Sequence, residues 1–320
     1  NATLYLLDAN LPENRKYQSI TDGLYDGFNE RRIAQEIALG IGGVKAIRKL
    51  GLNIDIYHFN EGHAALAGTE LIREKMDTGM NFHTAWDDVK EDIVFTTHTP
   101  VKEGNESHSL DSLKKMSAFN GLTRKQMKEI GDSPFSMTVA GLRLSRISNG
   151  VAKLHGQTSR EMWKDVEGKS SIISITNGVH RSTWVDDRIV ENLGDTEAIY
   201  ETSQTMKQEL VDFIKERNGA ELDPNKLIIG FARRATAYKR PNLIFEKPEI
   251  IDHYLESGDI QIVFSGKAHP TDDNGKEIVA NLVEKAKEFP NSVVFLEDYN
   301  MEIARYMTRG VDIWLNNPRK

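Results

Sequence analysis

The 320-residue sequence contains no cysteine. This absence excludes disulfide bonds, thiolate metal sites and thiol catalysis, and it fits a reducing compartment, so the cytoplasm is the expected location. No run of residues is long and apolar enough to predict a membrane span. Residues 1–8 lack a basic leader and a small-residue cleavage site, and we expect them to be a strand in a chain that begins in mid-protein.

An excess of positive charge is also missing. The chain has 41 Lys and Arg residues against 48 Asp and Glu residues, which gives a net charge of −7. Surfaces that bind nucleic acid or anionic membranes need basic stripes that displace counterions, so neither partner is expected and any anion site must be local. Histidines at metal-ligand spacing are lacking as well. His58 and His63 fit no such pattern, and no metal is expected.

Short apolar runs that end in polar residues alternate with helical patterns, which is typical of βαβ units and a parallel sheet. The predicted strands lie at 54–59, 92–96, 171–176, 226–231, 260–264, 292–296 and 311–315. The predicted helices lie at 27–50, 62–76, 240–257, 274–288 and 300–309. The weakly patterned residues 102–136 are expected to leave the sheet. We therefore predict an α/β protein of two Rossmann-like halves facing a cleft, with right-handed crossovers and a boundary between 176 and 220.

Polar motifs follow the predicted strands, at the position where open parallel sheets bind ligands. The motifs are Asn60-Glu61-Gly62-His63, Thr97-His98-Thr99-Pro100, Asn177-Gly178-Val179-His180, Arg233-Arg234, Gly266-Lys267-Ala268-His269, Glu297-Asp298-Tyr299-Asn300 and Asn316-Asn317. Together they predict a large polar cleft. His98 can bond to a hydroxyl-rich ligand or serve the structure alone. Glu61 and His63 can form an acid/base pair, or can cap and brace the loop.

Four cations occupy eight positions after the strand that ends at Phe231, namely Arg233, Arg234, Lys239 and Arg240. Guanidinium forks match phosphate oxygens, and the helix predicted to start here would add backbone N–H groups, so a phosphate or pyrophosphate site is predicted. A solvated basic patch at a helix start is the alternative. Lys267 follows a glycine but lacks the Walker spacing, so either a plain turn or a phosphate contact is open for it.

Several short motifs, in one fixed order over essentially the whole chain, resemble the pyridoxal-phosphate-dependent α-glucan phosphorylases, especially their shorter bacterial and archaeal branch. They are Tyr5-Leu6-Leu7-Asp8, Asn10-Leu11-Pro12, Arg32-Ile33-Ala34-Gln35-Glu36-Ile37, Gly40-Ile41-Gly42-Gly43, Asn60-Glu61-Gly62-His63-Ala64-Ala65-Leu66, Thr97-His98-Thr99-Pro100, Asn149-Gly150-Val151-Ala152-Lys153-Leu154-His155 and Thr176-Asn177-Gly178-Val179. The resemblance implies two Rossmann-like domains in the glycosyltransferase-B arrangement. Residues 1–175 would be the C-terminal part of the first domain, and residues 176–320 the N-terminal part of the second.

The resemblance also implies a reaction, the phosphorolysis of terminal α-1,4 bonds of glycogen or maltodextrin to glucose 1-phosphate with retained configuration. The partners would be the α-1,4-glucan and inorganic phosphate, and the parent protein would be a homodimer. In the family, the phosphate of pyridoxal 5'-phosphate exchanges a proton with inorganic phosphate. The Schiff-base lysine is expected beyond Lys320 and a glycine-rich loop before Asn1, so the fragment alone is expected to be inactive and without cofactor.

Site residues can be carried over from the family by position. Arg234 and Lys239 match the pair that grips the substrate phosphate, and His98 matches the residue whose carbonyl faces the reacting glucosyl unit. The remaining substrate-side residues are Asn177, Glu61, His63 and Thr99. The cofactor-side residues are Arg233, Trp184, Tyr299 and Lys267. Arg233 and Asn300 stand where much of the family has a lysine and an arginine on the cofactor phosphate, so charge is kept at the first position and lost at the second.

Two other functions remain open. A sugar-nucleotide-dependent glucan synthase of similar architecture would use the same cationic pair to hold a diphosphate, and absorbance from a lysine-bound pyridoxal in the longer protein separates it from a phosphorylase. An inactive glucan- or phosphate-binding module would bind without chemistry. Calorimetric titration with maltooligosaccharide and with phosphate tests that possibility, because a fragment with half a cleft should bind both weakly.

Overall fold

A computed structural model describes residues 3–23, 30–99, 101, 104–270 and 272–318. Within the predictions made above, residues 1–2, the helix start at 27–29, Pro100, positions 102 and 103, and Lys320 lie outside these residues. The strand predicted over residues 1–8 is wrong for its described part, because residues 3–8 are in no strand. The chain divides into two compact units, Asn1–Gly178 and Val179–Lys320. Each unit contains a four-stranded sheet in which all strand pairs are parallel, so the predicted α/β class is confirmed.

Unit 1 has eight described helices and six described strands. The helices are α1 Glu30–Ile37, α2 Gly43–Lys49, α3 Leu66–Asp77, α4 Phe82–Glu91, α5 Leu110–Lys115, α6 Arg124–Gly131, α7 Met137–Leu144 and α8 Lys153–Met162. The strands are β1 Tyr57–Asn60, β2 Ile93–Thr97, β3 Ser107–His108, β4 Phe135–Ser136, β5 Ile147–Gly150 and β6 Ser171–Ser174. Shorter helical turns occupy Pro12–Tyr17 and Gly62–Ala64.

The main sheet of unit 1 has the strand order β1-β2-β5-β6, and β3 pairs with β4 in a separate antiparallel hairpin. Its core packs β2, through the fully buried Ile93 and Phe95, against helices on one face that include Leu66 of α3 and Leu144 of α7. The segment 102–136 gives no strand to this sheet among its described residues, as predicted, but α5 and α6 contribute fully buried side chains to the core.

The helix predicted over 27–50 is interrupted. A π-helical segment, Ala38–Gly42, joins α1 to α2 without leaving the helical path. Gly40 lies against α3 so closely that a Cβ there would sit 2.7 Å from the backbone nitrogen of Ala67. The extra residue of the π-helical turn therefore places a glycine at the closest approach of the two helices.

Unit 2 has six helices and four strands among its described residues. The helices are α9 Arg181–Trp184, α10 Asp187–Glu191, α11 Thr196–Asn218, α12 Pro248–Glu256, α13 Asp273–Glu288 and α14 Met301–Gly310. The strands are β7 Leu227–Ala232, β8 Ile260–Ser265, β9 Val293–Leu296 and β10 Ile313–Trp314. Within the described parts of both units, every helix is too short or too polar to cross a bilayer.

The sheet of unit 2 reverses its strand order at β7. The order is β9-β8-β7-β10, so the chain steps outward from β7 through β8 to β9 and then returns to the other side of β7. Helices cover both faces, because Ile228 of β7 packs with α11 and α14 while Phe231 packs with α12 and α13. In sheets of this kind, ligands bind beyond the carboxyl ends of the strands at the point of reversal.

The helix predicted over 240–257 begins later than expected. Two short 3-10 helices, Ala237–Lys239 and Pro241–Phe245, precede α12. Arg240, between them, has the left-handed conformation (φ 50°, ψ 52°), and the proline after it disfavours the α conformation at that position. The prediction that the four cations lie at a helix N-terminus is therefore wrong, and the helix-dipole argument for an anion there does not apply.

Candidate functional site

The ends of β1 and β2 bring three of the predicted site residues of unit 1, Glu61, His98 and Thr99, into one network with Asn60. Glu61 Oε2 accepts hydrogen bonds from the backbone N–H of His98 at 2.8 Å and from the hydroxyl of Thr99 at 3.0 Å. His98 Nε2 lies 2.5 Å from Asn60 Oδ1. Glu61 itself has φ 69° and ψ 174°, a conformation that almost only glycine adopts, so these contacts hold it in a strained backbone.

His155 joins the same end of the sheet, although the sequence assigned it no role. Its Nδ1 accepts from the backbone N–H of Val151 at 3.2 Å, and the N–H of Asn177 donates to the Val151 carbonyl at 3.1 Å. Burial lowers the pKa of His155, while the charge of Glu61 and the carbonyl of Thr99 oppose that shift. The exposed Asn177 is thus tied by its backbone to the segment that holds His155.

A second polar row crosses three strands at this end. His58 Nε2 lies 2.7 Å from Thr96 Oγ1, and the Thr96 hydroxyl donates to Asn149 Oδ1 at 2.8 Å. The row leaves His58 exposed on β1 and fixes the amide of Asn149 on β5. The polar residues within the predicted strands, His58 on β1 and Thr96 on β2, were the sequence signal for it, since a polar side chain in a buried strand needs a hydrogen-bond partner.

His63 belongs to a different network from Glu61. Arg32 donates from Nη2 to His63 Nδ1 at 2.5 Å and binds both oxygens of Glu106, with Nε 2.7 Å from Oε1 and Nη2 2.9 Å from Oε2. The His63 ring nitrogen also lies 3.5 Å from Glu106 Oε2. The contacts described for Glu61 and His63, which the sequence offered as an acid/base pair, therefore go to separate partners.

The network continues into the core through Glu36. His108 Nε2 lies 2.8 Å from Glu36 Oε2, and both side chains are buried. Burial raises the pKa of Glu36 to about 6, the charge of Glu106 adds to the shift, and the hydrogen bond with His108 opposes it. Burial would also raise the pKa of Glu106, but hydrogen bonds with His63 and Arg32 outweigh it and hold that pKa well below its usual range.

Ligand atoms of Glu36, Glu106 and His108 lie within 4.8 Å of one another, which is close enough for a metal ion. The guanidinium of Arg32 already binds both oxygens of Glu106 and lies 3.6 Å from Glu36 Oε1. Arg32 therefore balances the negative charge of one of the two carboxylates, Glu36 and Glu106. The charge of the other carboxylate remains to be balanced. A proton balances it without displacing Arg32, so the geometry favours a proton-bearing network over a metal centre.

In unit 2, the side chains of two of the four cationic residues after β7 make no hydrogen bond or ion pair with any described residue. Arg234 is exposed, and Lys239 makes only a cation-π contact, with its Nζ 4.6 Å from the ring centroid of Tyr238. Both follow the strand at which the sheet order reverses. Their charges are thus available for an anion at the position where such sheets bind ligands.

The other two cations are bound to the segment that follows β10. Arg233 donates from Nη1 to the side-chain carbonyl of Asn316. Arg240 donates from Nε to the backbone carbonyl of Asn317 at 2.9 Å, and Asn317 donates from Nδ2 back to the Arg240 carbonyl at 3.2 Å. The side chain of each of these two residues therefore bonds to the backbone of the other, and this joins the loop after β7 to the loop after β10.

Three of the predicted cofactor-side residues lie along the carboxyl-terminal edge of the second sheet. They are Arg233, Lys267 and Tyr299, which follow β7, β8 and β9. The backbone of Arg233 runs beside the loop after β8, where Ala235 N–H donates to the Lys267 carbonyl at 3.0 Å. Lys267 Nζ lies 3.8 Å from a carboxylate oxygen of Asp298, the neighbour of Tyr299 after β9. Tyr299 is half-buried, and its burial raises the pKa of the phenol.

Trp184 and Asn300 are held by helix α14. Arg309, in the last turn of α14, donates from Nε to the Trp184 carbonyl at 3.2 Å, whereas Tyr299 precedes the first turn of the same helix. The contacts described for Trp184 thus do not bring it to Tyr299. Asn300 caps α14 by accepting from the N–H groups of Glu302 and Ile303, which gives the asparagine a structural reason to stand there.

The two units therefore offer different chemistry. Unit 1 presents amide, imidazole, hydroxyl and carboxylate groups at the ends of β1, β2 and β5, which suit the hydroxyls of a sugar. Unit 2 presents two unpaired cations at the reversal of its sheet, which suit an anion.

Comparison with known proteins finds relatives named as maltodextrin and glycogen phosphorylases. Maltodextrin phosphorylase of Thermococcus litoralis is 36% identical over 99% of the chain, which covers 44% of that protein. The glycogen phosphorylases of Mycobacterium bovis and Aquifex aeolicus are 35% and 32% identical over 98% of the chain, which covers 44% and 54% of them. No protein-family model matches. The chain thus spans about half the length of the curated relatives it matches.

Proposed function

The chain belongs to the family of the glycogen and maltodextrin phosphorylases, and from this premise we propose that it forms part of an α-1,4-glucan phosphorylase. The reaction is the transfer of a terminal glucosyl unit of glycogen or maltodextrin to inorganic phosphate, with glucose 1-phosphate as the product. Because the chain spans about half of each relative, we assign this activity to a longer protein. The 320 residues alone do not complete the site.

The proposal extends to the architecture. Residues 1–175 would be the C-terminal part of one Rossmann-like domain and residues 176–320 the N-terminal part of another, in the glycosyltransferase-B arrangement. The order reversal at β7 and the helices on both faces of the second sheet support the second half of this assignment. The longer protein would act as a homodimer in the cytoplasm.

One observation carries the proposal: the side chains of Arg234 and Lys239 have no described hydrogen bond or ion pair, and both residues follow the strand at which the sheet order reverses. Arginine offers forked N–H donors and lysine a compact charge, and together they can hold a tetrahedral dianion. In phosphorolysis a phosphate oxygen bonds to the glucosyl carbon as the glycosidic bond breaks, and the leaving glucan oxygen takes the proton of the phosphate to become a hydroxyl. Cations on the other phosphate oxygens would fix the attacking group and balance its charge.

The sugar side would use His98, Asn177, Glu61, His63 and Thr99. Glu61 binds the N–H of His98 and the hydroxyl of Thr99, so it fixes the backbone of His98. A fixed carbonyl at His98 could then stabilise the positive charge that develops on the glucosyl unit. The side chains of His98 and Asn177 are exposed, and they would bind sugar hydroxyls.

The cofactor side fits an anionic aromatic group in part. Arg233 and Lys267 supply positive charge along one sheet edge, and Tyr299 supplies a half-buried ring on the same edge. These residues would hold pyridoxal phosphate, and Trp184 would join them only if its ring turned toward that edge. When bound, the cofactor would supply a phosphate group that exchanges a proton with inorganic phosphate. No residue of this chain is assigned as the Schiff-base lysine.

Two assays test the proposal. The 320-residue chain, mixed with maltodextrin and inorganic phosphate, should form no glucose 1-phosphate, and product formation by the chain alone would overturn the assignment to a longer protein. A longer protein that carries this chain should show pyridoxal absorbance and should consume maltodextrin with phosphate. Glucosyl transfer from a sugar nucleotide without that absorbance would instead identify a glucan synthase.

A further inference from the structure

We propose that Arg240 is a positioning residue of the phosphate site: its guanidinium closes residues 316–318 onto the turn that carries Lys239, and it does not itself bind the anion. This inference rests on the proposed function, because it concerns how the Arg234 and Lys239 pair is held. It separates Arg234 and Lys239, which bind the substrate phosphate, from Arg233 and Arg240, whose guanidinium groups contact residues 316–318. We call the contacts of Arg233 and Arg240 with residues 316–318 the brace.

The brace is reciprocal at Arg240. The guanidinium donates from Nε to the Asn317 carbonyl at 2.9 Å and from Nη2 to the Pro318 carbonyl at 3.5 Å, while Asn317 Nδ2 donates to the Arg240 carbonyl at 3.2 Å. A guanidinium that spans two consecutive carbonyls has its fork oriented toward the protein. The N–H groups of Arg240 that make these bonds are therefore not available to an anion, although its positive charge remains next to Lys239 in the chain.

The backbone at Arg240 shows why a brace is needed. Its left-handed conformation (φ 50°, ψ 52°) is one that non-glycine residues adopt only at an energetic cost. This residue lies directly between Lys239 and Pro241, at the junction of two 3-10 helices. Such a conformation persists where surrounding contacts determine it. The Arg240 N–H donates to the Ala237 carbonyl at 3.3 Å and its carbonyl accepts from the Leu243 N–H at 3.2 Å, while the contacts from outside this turn are those with Asn317 and Pro318. The direction of Lys239 thus depends on the brace.

Residues 316–318, which Arg240 contacts, follow a strand that is hydrogen-bonded to β7. Leu315 N–H donates to the Gly230 carbonyl at 2.8 Å, which extends the β7–β10 pairing to the residue before the brace. At the other end of β10, Asp312 Oδ2 accepts from the Ile228 N–H at 2.8 Å and from the buried Lys207 Nζ at 2.7 Å. The register of β10 on β7 is fixed at both ends, so residues 316–318 form a firm support.

A variant of Arg240 that keeps its charge but loses its hydrogen-bond geometry tests whether the residue acts through its position or through its charge alone. Arg240→Lys keeps the positive charge but cannot span two carbonyls. If Arg240 positions the site, this variant should weaken binding of inorganic phosphate to the chain about tenfold, the loss expected when a charge-assisted hydrogen bond fails. If Arg240 contributed only charge, affinity would not change. Lys247→Gln, which removes an exposed cation seven positions later, is the matched control and should stay within about twofold of wild type.

The readout is the NMR signal of each arginine Nε–H group in the labelled chain, with inorganic phosphate added at constant ionic strength. The signal of Arg234 should move with phosphate and report the affinity. The signal of Arg240 should exchange slowly with water before phosphate is added, because its Nε–H is already bonded, and should move less on addition. A shift at Arg240 as large as that at Arg234, or wild-type affinity in Arg240→Lys, would overturn the proposal.

A failure of phosphate binding can be told apart from a failure of the brace. If Arg234 shows no response to phosphate, the proposed phosphate pair is not functional in this chain. The brace is then judged without phosphate, since Asn317→Ala removes the return hydrogen bond and should speed exchange of the Arg240 Nε–H. Equal exchange rates at Arg240 and Arg234 in the wild-type chain would show that no brace forms.

Discussion

The carboxylate of Glu61 holds the backbone of His98 through a 2.8 Å hydrogen bond from the His98 N–H to Glu61 Oε2. The same oxygen accepts the hydroxyl of Thr99, so one side chain after β1 determines the path of the chain after β2. The strained conformation of Glu61 (φ 69°) lies at a predicted substrate-binding residue, where strain of this kind is commonly found. Through these two bonds Glu61 fixes the positions of His98 and Thr99, which are both proposed to bind the sugar.

Removing the Glu61 carboxylate should free the His98 amide. In Glu61→Ala we expect that amide to exchange with water about 10- to 100-fold faster, as for a loss of one or two hydrogen bonds to a charged group. Glu61→Gln keeps an acceptor oxygen and should show a smaller increase. Hydrogen exchange measured by NMR checks both, with Glu74→Ala, which removes a carboxylate paired with Arg48 at the surface, as the control. An unchanged His98 amide in Glu61→Ala would contradict the account.

The buried Glu36 should make stability depend on pH. Its folded-state pKa of about 6 exceeds the ordinary 4.5, so the folded chain binds the proton more tightly, and this contribution to stability is complete below pH 4.5 and lost as pH rises through 6. The shift corresponds to about 2 kcal/mol. Glu36→Gln mimics the protonated acid and lacks this dependence. Its free energy of unfolding relative to wild type should therefore increase by about 2 kcal/mol across that window.

Urea unfolding at a series of pH values measures this difference. Glu106 contributes with the opposite sign, because its pKa is lowered and its stabilisation is lost as pH falls, but it is present in both proteins. Glu249→Gln, at an exposed position, serves as the control. Parallel pH curves for wild type and Glu36→Gln would rule out a raised pKa of Glu36 in the folded chain.

Gly266 should tolerate no side chain. A Cβ at this position would lie 2.1 Å from the carbonyl oxygen of Arg233, and its φ of 152° is one that other residues rarely adopt. Gly266→Ala should therefore push apart the loops after β7 and β8 and lower the stability of unit 2 by more than about 2 kcal/mol. Gly178→Ala is the control, because a Cβ there meets nothing within 4 Å. Thermal unfolding compares the two, and equal effects would refute the close approach.

The sequence predicted most of the sheet because buried parallel strands are read as apolar runs. The seven predicted sheet strands from 54–59 to 311–315 are present, including β7, β8 and β9 of the second unit, whereas the strand predicted over residues 1–8 is not formed by the described residues 3–8. Strand β5 was missed, since Ile147-Ser148-Asn149-Gly150 has one apolar residue and its neighbours in the sheet, not its composition, make it a strand. The helix after β7 was misplaced because Arg240 and Pro241 break it, and the pattern of apolar residues does not record that turn.

The candidate site was predicted in part. The strand-end motifs identified Glu61, His98 and Arg234, because position at a strand end is a sequence property. The network of Arg32 with Glu106 and of Glu36 with His108 joins residues 74 and 72 positions apart, and no spacing rule connects them. Nor could the sequence separate the cations that brace from those that remain unpaired, since both kinds occur in one short basic segment.

The central claim is that unpaired cations after β7 hold the phosphate that attacks a glucan. The most direct measurement replaces the matching segment of the Thermococcus litoralis maltodextrin phosphorylase with this chain and follows glucose 1-phosphate formation from maltodextrin and inorganic phosphate. The account predicts product, and a rate at least about 100-fold lower in Arg234→Gln with pyridoxal absorbance retained. A folded, pyridoxal-containing chimera that forms product equally well with Arg234→Gln, or forms none with the wild-type sequence, would contradict it.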